Sequence, residues 1–144
     1  MVLADQDEMD FLRAACTGTT ISYWAARQPD TVAVTAGTER RTFAELDAQA
    51  NQIARTLLAR GHEPGDPVAA LLANTVDAVA VLAAANRIGA RFTPVNWHLS
   101  ADEVAYIVGD CAARTIVVDA RFAATAMPAA DAHHVPSRFS IGGP

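Results

Sequence analysis

The sequence predicts an α/β domain, a mostly parallel sheet with helices packed on its faces. Three observations predict it. Apolar runs of strand length at 67–73, 91–95 and 115–119 alternate with segments of helical periodicity, the pattern of strands joined through right-handed crossovers. Two of the helices open on a capping box, Thr42 with Glu45 and Ser100 with Glu103, in which side chains satisfy the free amides of the first turn. The chain has 144 residues, 51% of them hydrophobic, so one core forms without a disulfide or metal staple by burying roughly two thirds of the unfolded surface.

Residues 1–18 read as a loosely held acidic leader, with Asp5, Asp7, Glu8 and Asp10 where a targeting peptide would be basic. An α/β subdomain over 19–127 follows. Thr20 caps a short helix at 21–28 with Trp24 as its largest apolar anchor, and Pro29-Asp30 ends it. Strands at 32–35 and 40–42 are joined by the turn Ala36-Gly37-Thr38. The helix behind Thr42 carries Phe43, Leu46, Ala50, Ile53, Ala54, Leu57 and Leu58 at helical intervals and stops at Gly61. The run from Pro67 to Ala73 is nearly all apolar, as in a strand covered on both faces. Asn74 or Thr75 caps a helix that runs to Ile88, with Gly89 just past its end. After the strand at 91–95, Leu99 and Val104 flank the second capping box as a hydrophobic staple. The strand at 115–119 leads into a weak alanine-rich helix and then a tail over 128–144.

Composition excludes several functions. All eleven basic residues are arginine, so the chain supplies no Schiff-base lysine and no phosphate-loop lysine. Net charge is −5 with scattered arginines, which gives no basic face for nucleic acid or an anionic membrane. The stretch from Pro67 to Asn86 is the one membrane lookalike, and Pro67, Asn74 and Asp77 fit strand, turn and helix better than a transmembrane span. Cys16 and Cys111 lack CxxC spacing and read as reduced thiols of a cytoplasmic protein.

No GxSxG elbow and no GxGxxG fingerprint occurs. Thr17-Gly18-Thr19-Thr20 lacks the lysine of a phosphate loop and reads as helix capping. His133-His134, near Asp131, has no second ligand pair at structural spacing and reads as solvated tail, so no metal site is expected. Asn96, Trp97 and His98 follow the strand at 91–95 directly. In open parallel sheets ligands sit beyond the carboxyl ends of the strands, which makes these three the substrate-facing candidates; the alternative is a loop with Trp97 packed on a neighbouring layer. Between Asp77 and Asn86 every residue is apolar. A helix apolar all round is normally buried all round, so a second layer from outside this chain, or a self-associating partner, is expected over it.

Taken together, these segments resemble the N-terminal part of the adenylate-forming (AMP-binding) superfamily: acyl-CoA synthetases, aryl-CoA ligases and peptide-synthetase adenylation domains. Thr42-Phe43-Ala44-Glu45-Leu46 is similar to that family's early T-[YF]-x-E-L motif, and Asn51, Ala54, Leu57, Gly61 and Gly65-Asp66-Pro67-Val68-Ala69 continue its pattern. Asn86-Arg87-Ile88-Gly89-Ala90-Arg91-Phe92-Thr93-Pro94-Val95-Asn96 resembles its second motif, and the likeness runs from about Ile21 to Phe122. The wording around Pro94-Val95-Asn96 is most similar to fatty or aryl acyl-CoA ligases. The resemblance implies an enzyme that uses ATP and Mg²⁺ to make an acyl-adenylate and passes the acyl group to coenzyme A. It also implies that the chemistry lies downstream, in a phosphate loop ending in Pro-Lys-Gly, a ribose-binding acid and a C-terminal lysine, none with a counterpart here. The expectation is an N-terminal subdomain, non-catalytic alone and binding no cofactor alone, whose tail leads towards the absent phosphate-loop region. The alternative is a stand-alone binding module of the same fold.

Overall fold

The computed structural model describes residues 6–142. Four strands, β3 (Pro67–Leu71), β4 (Arg91–Val95), β5 (Thr115–Asp119) and β6 (Ser137–Ile141), form one parallel sheet in the order β4-β3-β5-β6. The hairpin β1 (Val32–Ala36) and β2 (Glu39–Thr42) is a separate antiparallel pair. Helices α3 (Phe43–Ala59) and α4 (Val76–Arg87) cover one face of the sheet, and α5 (Ala101–Asp110) with α6 (Ala123–Ala132) covers the other.

The pleat sorts side chains between these faces. Ala69, Leu71, Ile116 and Val118 point into the α5–α6 cluster with Val104, Val108 and Ala126. Val68 and Val117, one residue out of phase, meet Val81 and Ile53 on the other side. This is the period-two division that strands impose. The strand expected to reach Ala73 ends at Leu71, because the next residues turn away into a loop beyond the sheet.

Both capping boxes are formed. Thr42 Oγ1 accepts from the Glu45 amide at 3.3 Å, and the Thr42 amide donates to Glu45 Oε2 at 2.9 Å. Ser100 and Glu103 repeat the exchange at 3.4 and 2.9 Å. Thr75 caps α4 through the Ala78 amide. The cap of α2 (Thr20–Arg27) differs from expectation: Thr19, not Thr20, holds the N-cap position, and its hydroxyl meets Thr17 Oγ1 rather than the helix amides.

The segment expected to be a loose leader contains a helix, α1 (Gln6–Cys16). Residues 1–5, including Asp5, lie outside the described residues. Phe11 on α1 packs edge-on against Tyr23, and Trp24 stands between Tyr23 and Phe43. Arg27 adds an ion pair to Asp7 at 2.9 Å while lying over the Tyr23 ring. An aromatic ladder thus anchors α1, and the helix follows from tertiary packing more than from local propensity. Between α1 and α2, Gly18 has φ of +69°, and a Cβ there would come within 2.3 Å of the Asn86 carbonyl oxygen. Only glycine fits that approach.

The expected tail is also structured. α6 continues through Ala132, past the boundary expected at 127, and β6 adds a fourth strand to the sheet. The His133 ring lies over the backbone of α5, where a Cβ on Gly109 would meet its Cε1 at 2.4 Å. His133 thus rests on α5 while remaining exposed at the surface.

The second layer expected over α4 is largely supplied by this chain. Ala80 and Ala84 are fully buried, and Ala50, Ala54 and Leu57 of α3 pack against Ala83, Ala84 and Ile88. Small side chains on both helices allow this close approach. Across the same junction Arg87 donates to Asp47 Oδ1 at 2.8 Å and to Ser22 Oγ at 2.9 Å, and its other Nη meets Asn51 Oδ1, tying α2, α3 and α4 together. Leu82 remains the exposed large side chain on α4, at 41%.

Thr42→Ala and Ser100→Ala should each lower stability by about 1 kcal/mol in denaturant titration; two unchanged midpoints would mean that the boxes do not hold these helix starts. Glutamate at either Ala80 or Ala84 places an unpaired charge in a sealed helix contact and should cost at least about 3 kcal/mol. Loss of the circular-dichroism signal in both variants is the expected outcome, and a folded, more soluble Ala84→Glu would show that α3 does not cover α4.

Candidate functional site

The sheet order fixes where a crevice forms. From β3 the chain passes through α4 to β4 on one side, and then returns through α5 to place β5 on the other side of β3. The helices that follow β3 and β5 therefore lie on opposite faces, which makes the carboxyl ends of these two strands the switch point where open α/β sheets bind ligands.

Asp119, the last residue of β5, closes this point. Its carboxylate accepts the Arg121 amide at 3.0 Å and Arg121 Nε at 2.9 Å, and Arg121 Nη2 completes a bidentate pair. The Ala73 amide, in the loop after β3, lies near enough to add a minor stabilisation of its charged form. Asp119 is buried. The Arg121 guanidinium, assisted by the Arg121 and Ala73 amides, holds its carboxyl below the usual carboxylate range against the opposing effect of burial. The reciprocal interaction raises Arg121 above the ordinary arginine value.

Asn96, Trp97 and His98 stand at the same edge, after the outer strand β4. Asn96 is committed locally: its Oδ1 accepts the His98 amide at 3.0 Å and shapes the turn. Trp97 stacks on Phe122, just after β5, with centroids 5.2 Å apart and ring planes 13° apart, and the His98 ring lies against Trp97 at 3.5 Å between centroids. Trp97 is 36% exposed. The triplet and the β5 exit thus make one aromatic rim, Trp97–Phe122, beside the Asp119–Arg121 pair. The sequence reading missed Asp119 and Arg121; the signal available was an acid ending an apolar strand with an arginine two residues later.

A separate apolar groove of ≈ 360 Å³ runs between β1, α4 and the β4 edge, lined by Val34, Leu72, Val79, Leu82, Phe92 and Pro94 among others. No ionisable side chain lines it, and Asn96, Trp97 and His98 lie outside it. Among the described residues no three His, Cys, Asp or Glu side chains gather to hold a metal ion. His62 is buried at the opposite, amino edge, between the Asp66 carbonyl and Thr115 Oγ1.

Because Asp119 titrates lower in the folded chain than in the unfolded one, its pairing stabilises the fold above the unfolded value near 4 and loses that contribution as pH falls through the folded value. Asp119→Asn should melt lower than the parent at neutral pH, by about 1 kcal/mol for an ion pair whose arginine is exposed. Melting curves at falling pH should bring the two proteins together; a gap that persists in acid would contradict the assignment.

Residues 21–140 match the family model described as AMP-binding enzyme. Among curated relatives, the fatty acid–[acyl-carrier-protein] ligase ScoC of Streptomyces coeruleorubidus is 34% identical over 113 residues, 77% of this chain and 22% of that protein. The long-chain-fatty-acid–CoA ligase FadD13 of Mycobacterium tuberculosis is 36% identical over 81 residues, 56% of this chain and 16% of that protein. Of solved structures, the N-terminal domain of FACL13 from Mycobacterium tuberculosis superimposes with a TM-score of 0.77 at 28% identity, covering 86% of this chain and 33% of that one. Coronafacic acid ligase from Pectobacterium brasiliense, at 20 to 21% identity and a TM-score of 0.81 to 0.82, covering 87 to 88% of this chain and 25% of that one, shares the fold. This chain thus spans a third or less of each of these relatives. The motif at Thr42–Leu46, the strand-ending Pro94-Val95-Asn96 and the parallel sheet have a common explanation: the chain belongs to the AMP-binding enzyme family.

Proposed function

We propose that this chain forms the N-terminal α/β layer of an ATP-dependent acyl-CoA synthetase that activates a fatty or aryl carboxylic acid as its acyl-adenylate and transfers it to coenzyme A. The observation that carries this reading is the family match over residues 21–140, supported by the likeness to FadD13, a long-chain-fatty-acid–CoA ligase. On this reading the chain is a scaffold and not a catalyst by itself, and its partner is the rest of a synthetase.

The described residues at the carboxyl edge do not fit a triphosphate with its magnesium ion. Arg121 is the cation there, and Asp119 already holds its guanidinium, while adenylyl transfer depends on positioned cations free to meet developing charge. ATP, Mg²⁺ and coenzyme A are therefore assigned to the complete enzyme. Within that enzyme Asn96, Trp97 and His98 are the substrate-facing residues: Asn96 sets the turn, and the exposed flank of the Trp97–Phe122 stack offers an apolar wall. Two unpaired cysteines and the lack, among the described residues, of a helix long and apolar enough to cross a membrane support a cytoplasmic placement. The apolar groove beside Val79 and Leu82 favours the second reading, a binding module of the same fold.

Two assays test the scaffold role. The purified chain should give no carboxylate-dependent ATP–pyrophosphate exchange with fatty or aromatic acids. A chimera in which residues 21–140 replace the corresponding segment of FadD13 should form acyl-CoA. Exchange by the chain alone, or a folded chimera without adenylation, would contradict the scaffold role.

A further inference from the structure

At the amino edge of the sheet, opposite the crevice, the turn after α3 and the starts of β5 and β6 enclose a small cavity of ≈ 50 Å³, lined by Arg60, His62, Arg114, Thr115 and Ser137 among others. Two of these polar side chains lie deep, His62 at 6% exposure and Thr115 at 2%. His62 Nε2 meets the Asp66 carbonyl at 3.2 Å, and Nδ1 stands 3.5 Å from Thr115 Oγ1. A carbonyl oxygen only accepts, so Nε2 carries the proton and Nδ1 of the neutral ring accepts from the Thr115 hydroxyl, across a long distance. Thr115 lines the cavity and Asp66 does not, which makes Nδ1 the ring nitrogen on the cavity side. The charges around the ring are uneven. Arg60 ends α3 and Arg114 precedes β5. Of the two nearby acids, Glu63 is exposed, and the Asp66 carboxylate is already taken, accepting from the Glu63 amide and from Arg114 Nη1, both at 2.9 Å. From β6, Arg138 is turned away onto Asp131. Among the described residues no carboxylate pairs with Arg60, whose guanidinium lies 5.7 Å from the Phe139 ring.

We propose that this cavity binds a small tetrahedral oxyanion, sulfate or inorganic phosphate, and that His62 takes up a proton as it does so. Arg60 and Arg114 together exceed the charge of Asp66, so a polar cavity is left beside positive charge that an anion completes. Its size admits about three waters or one such ion, which favours a free oxyanion over the phosphate group of a larger ester. Neutral His62 turns the lone pair of Nδ1 towards the anion and repels it. Protonated at Nδ1, the ring donates to the anion, and the Thr115 hydroxyl, no longer needed by Nδ1, donates to it as well. The anion in turn offsets the cost of a buried imidazolium between two arginines. The proton comes from solvent, so binding and protonation favour each other by the same factor, and affinity rises as pH falls through the range in which imidazole charges. This inference is independent of the synthetase reading.

Heteronuclear NMR of the full chain tests it, with sodium sulfate titrated against chloride at constant ionic strength. Sulfate keeps one charge state near neutral pH, so any pH dependence belongs to the protein. Saturable shifts of the Gly61, His62, Thr115 and Ser137 amides are expected, with affinity rising by up to about tenfold for each unit of pH lowered through the histidine range. The His62 ring should titrate at higher pH in sulfate than in chloride while the His98 and His134 rings do not move, a readout that needs no variant. Arg60→Gln changes an exposed side chain without a carboxylate partner and should weaken sulfate by about tenfold. Glycerol phosphate should bind more weakly than inorganic phosphate. No saturable shift at these amides, an affinity indifferent to pH or to Arg60→Gln, a His62 titration that sulfate leaves in place, or a tighter hold on glycerol phosphate than on phosphate would overturn the inference.

Discussion

The complete burial of β3 is the constraint on which the rest of this structure depends. Pro67–Leu71 lies between β4 and β5 with every residue buried, so its only polar groups are those of the backbone, and two parallel ladders satisfy them. Its side chains are divided between two helical layers, and the small Ala69 and Ala70 let those layers approach closely. A polar or bulky residue in the strand would disturb both faces at once, because interiors packed this densely transmit volume changes. The alternation of α4 with α5 and α6 on opposite faces follows from β3 having a neighbour on each side.

That arrangement also produces the crevice. Two strands whose following helices diverge leave an opening at their carboxyl ends, and here Asp119 stands at it holding Arg121. The Trp97–Phe122 stack extends the same rim towards β4. The edge is therefore preorganised around a closed ion pair and an aromatic wall. These groups suit the shaping of a neighbouring ligand site better than the stabilisation of developing charge, and this agrees with a scaffold that leaves chemistry to other parts of a synthetase.

Local signals made the strands and capped helices legible in the sequence. The boxes at Thr42 and Ser100, and the bounds of β4 and β5, need only neighbours a few residues apart, and they occur where the pattern placed them. Features set by distant contacts were not legible. α1 depends on Phe11 reaching Tyr23, and the cover on α4 depends on alanines of α3 meeting alanines of α4. The switch point needs the strand order, which periodicity does not contain, so the local pattern points to the aromatic triplet after β4 while the buried acid ends β5. β6 carries a weaker local signal because it is half polar, as an outer strand with one covered face should be.

Amide hydrogen exchange of the full chain tests the central claim most directly, that β3 is the sealed axis of the fold. The account predicts the slowest exchange at the amides of Val68, Ala69, Ala70 and Leu71, together with Ile116–Val118 of β5, at rates that follow global unfolding. Faster exchange at those amides than in the hairpin β1–β2 would contradict it, because the strand would then be opening locally without the helices that are supposed to enclose it.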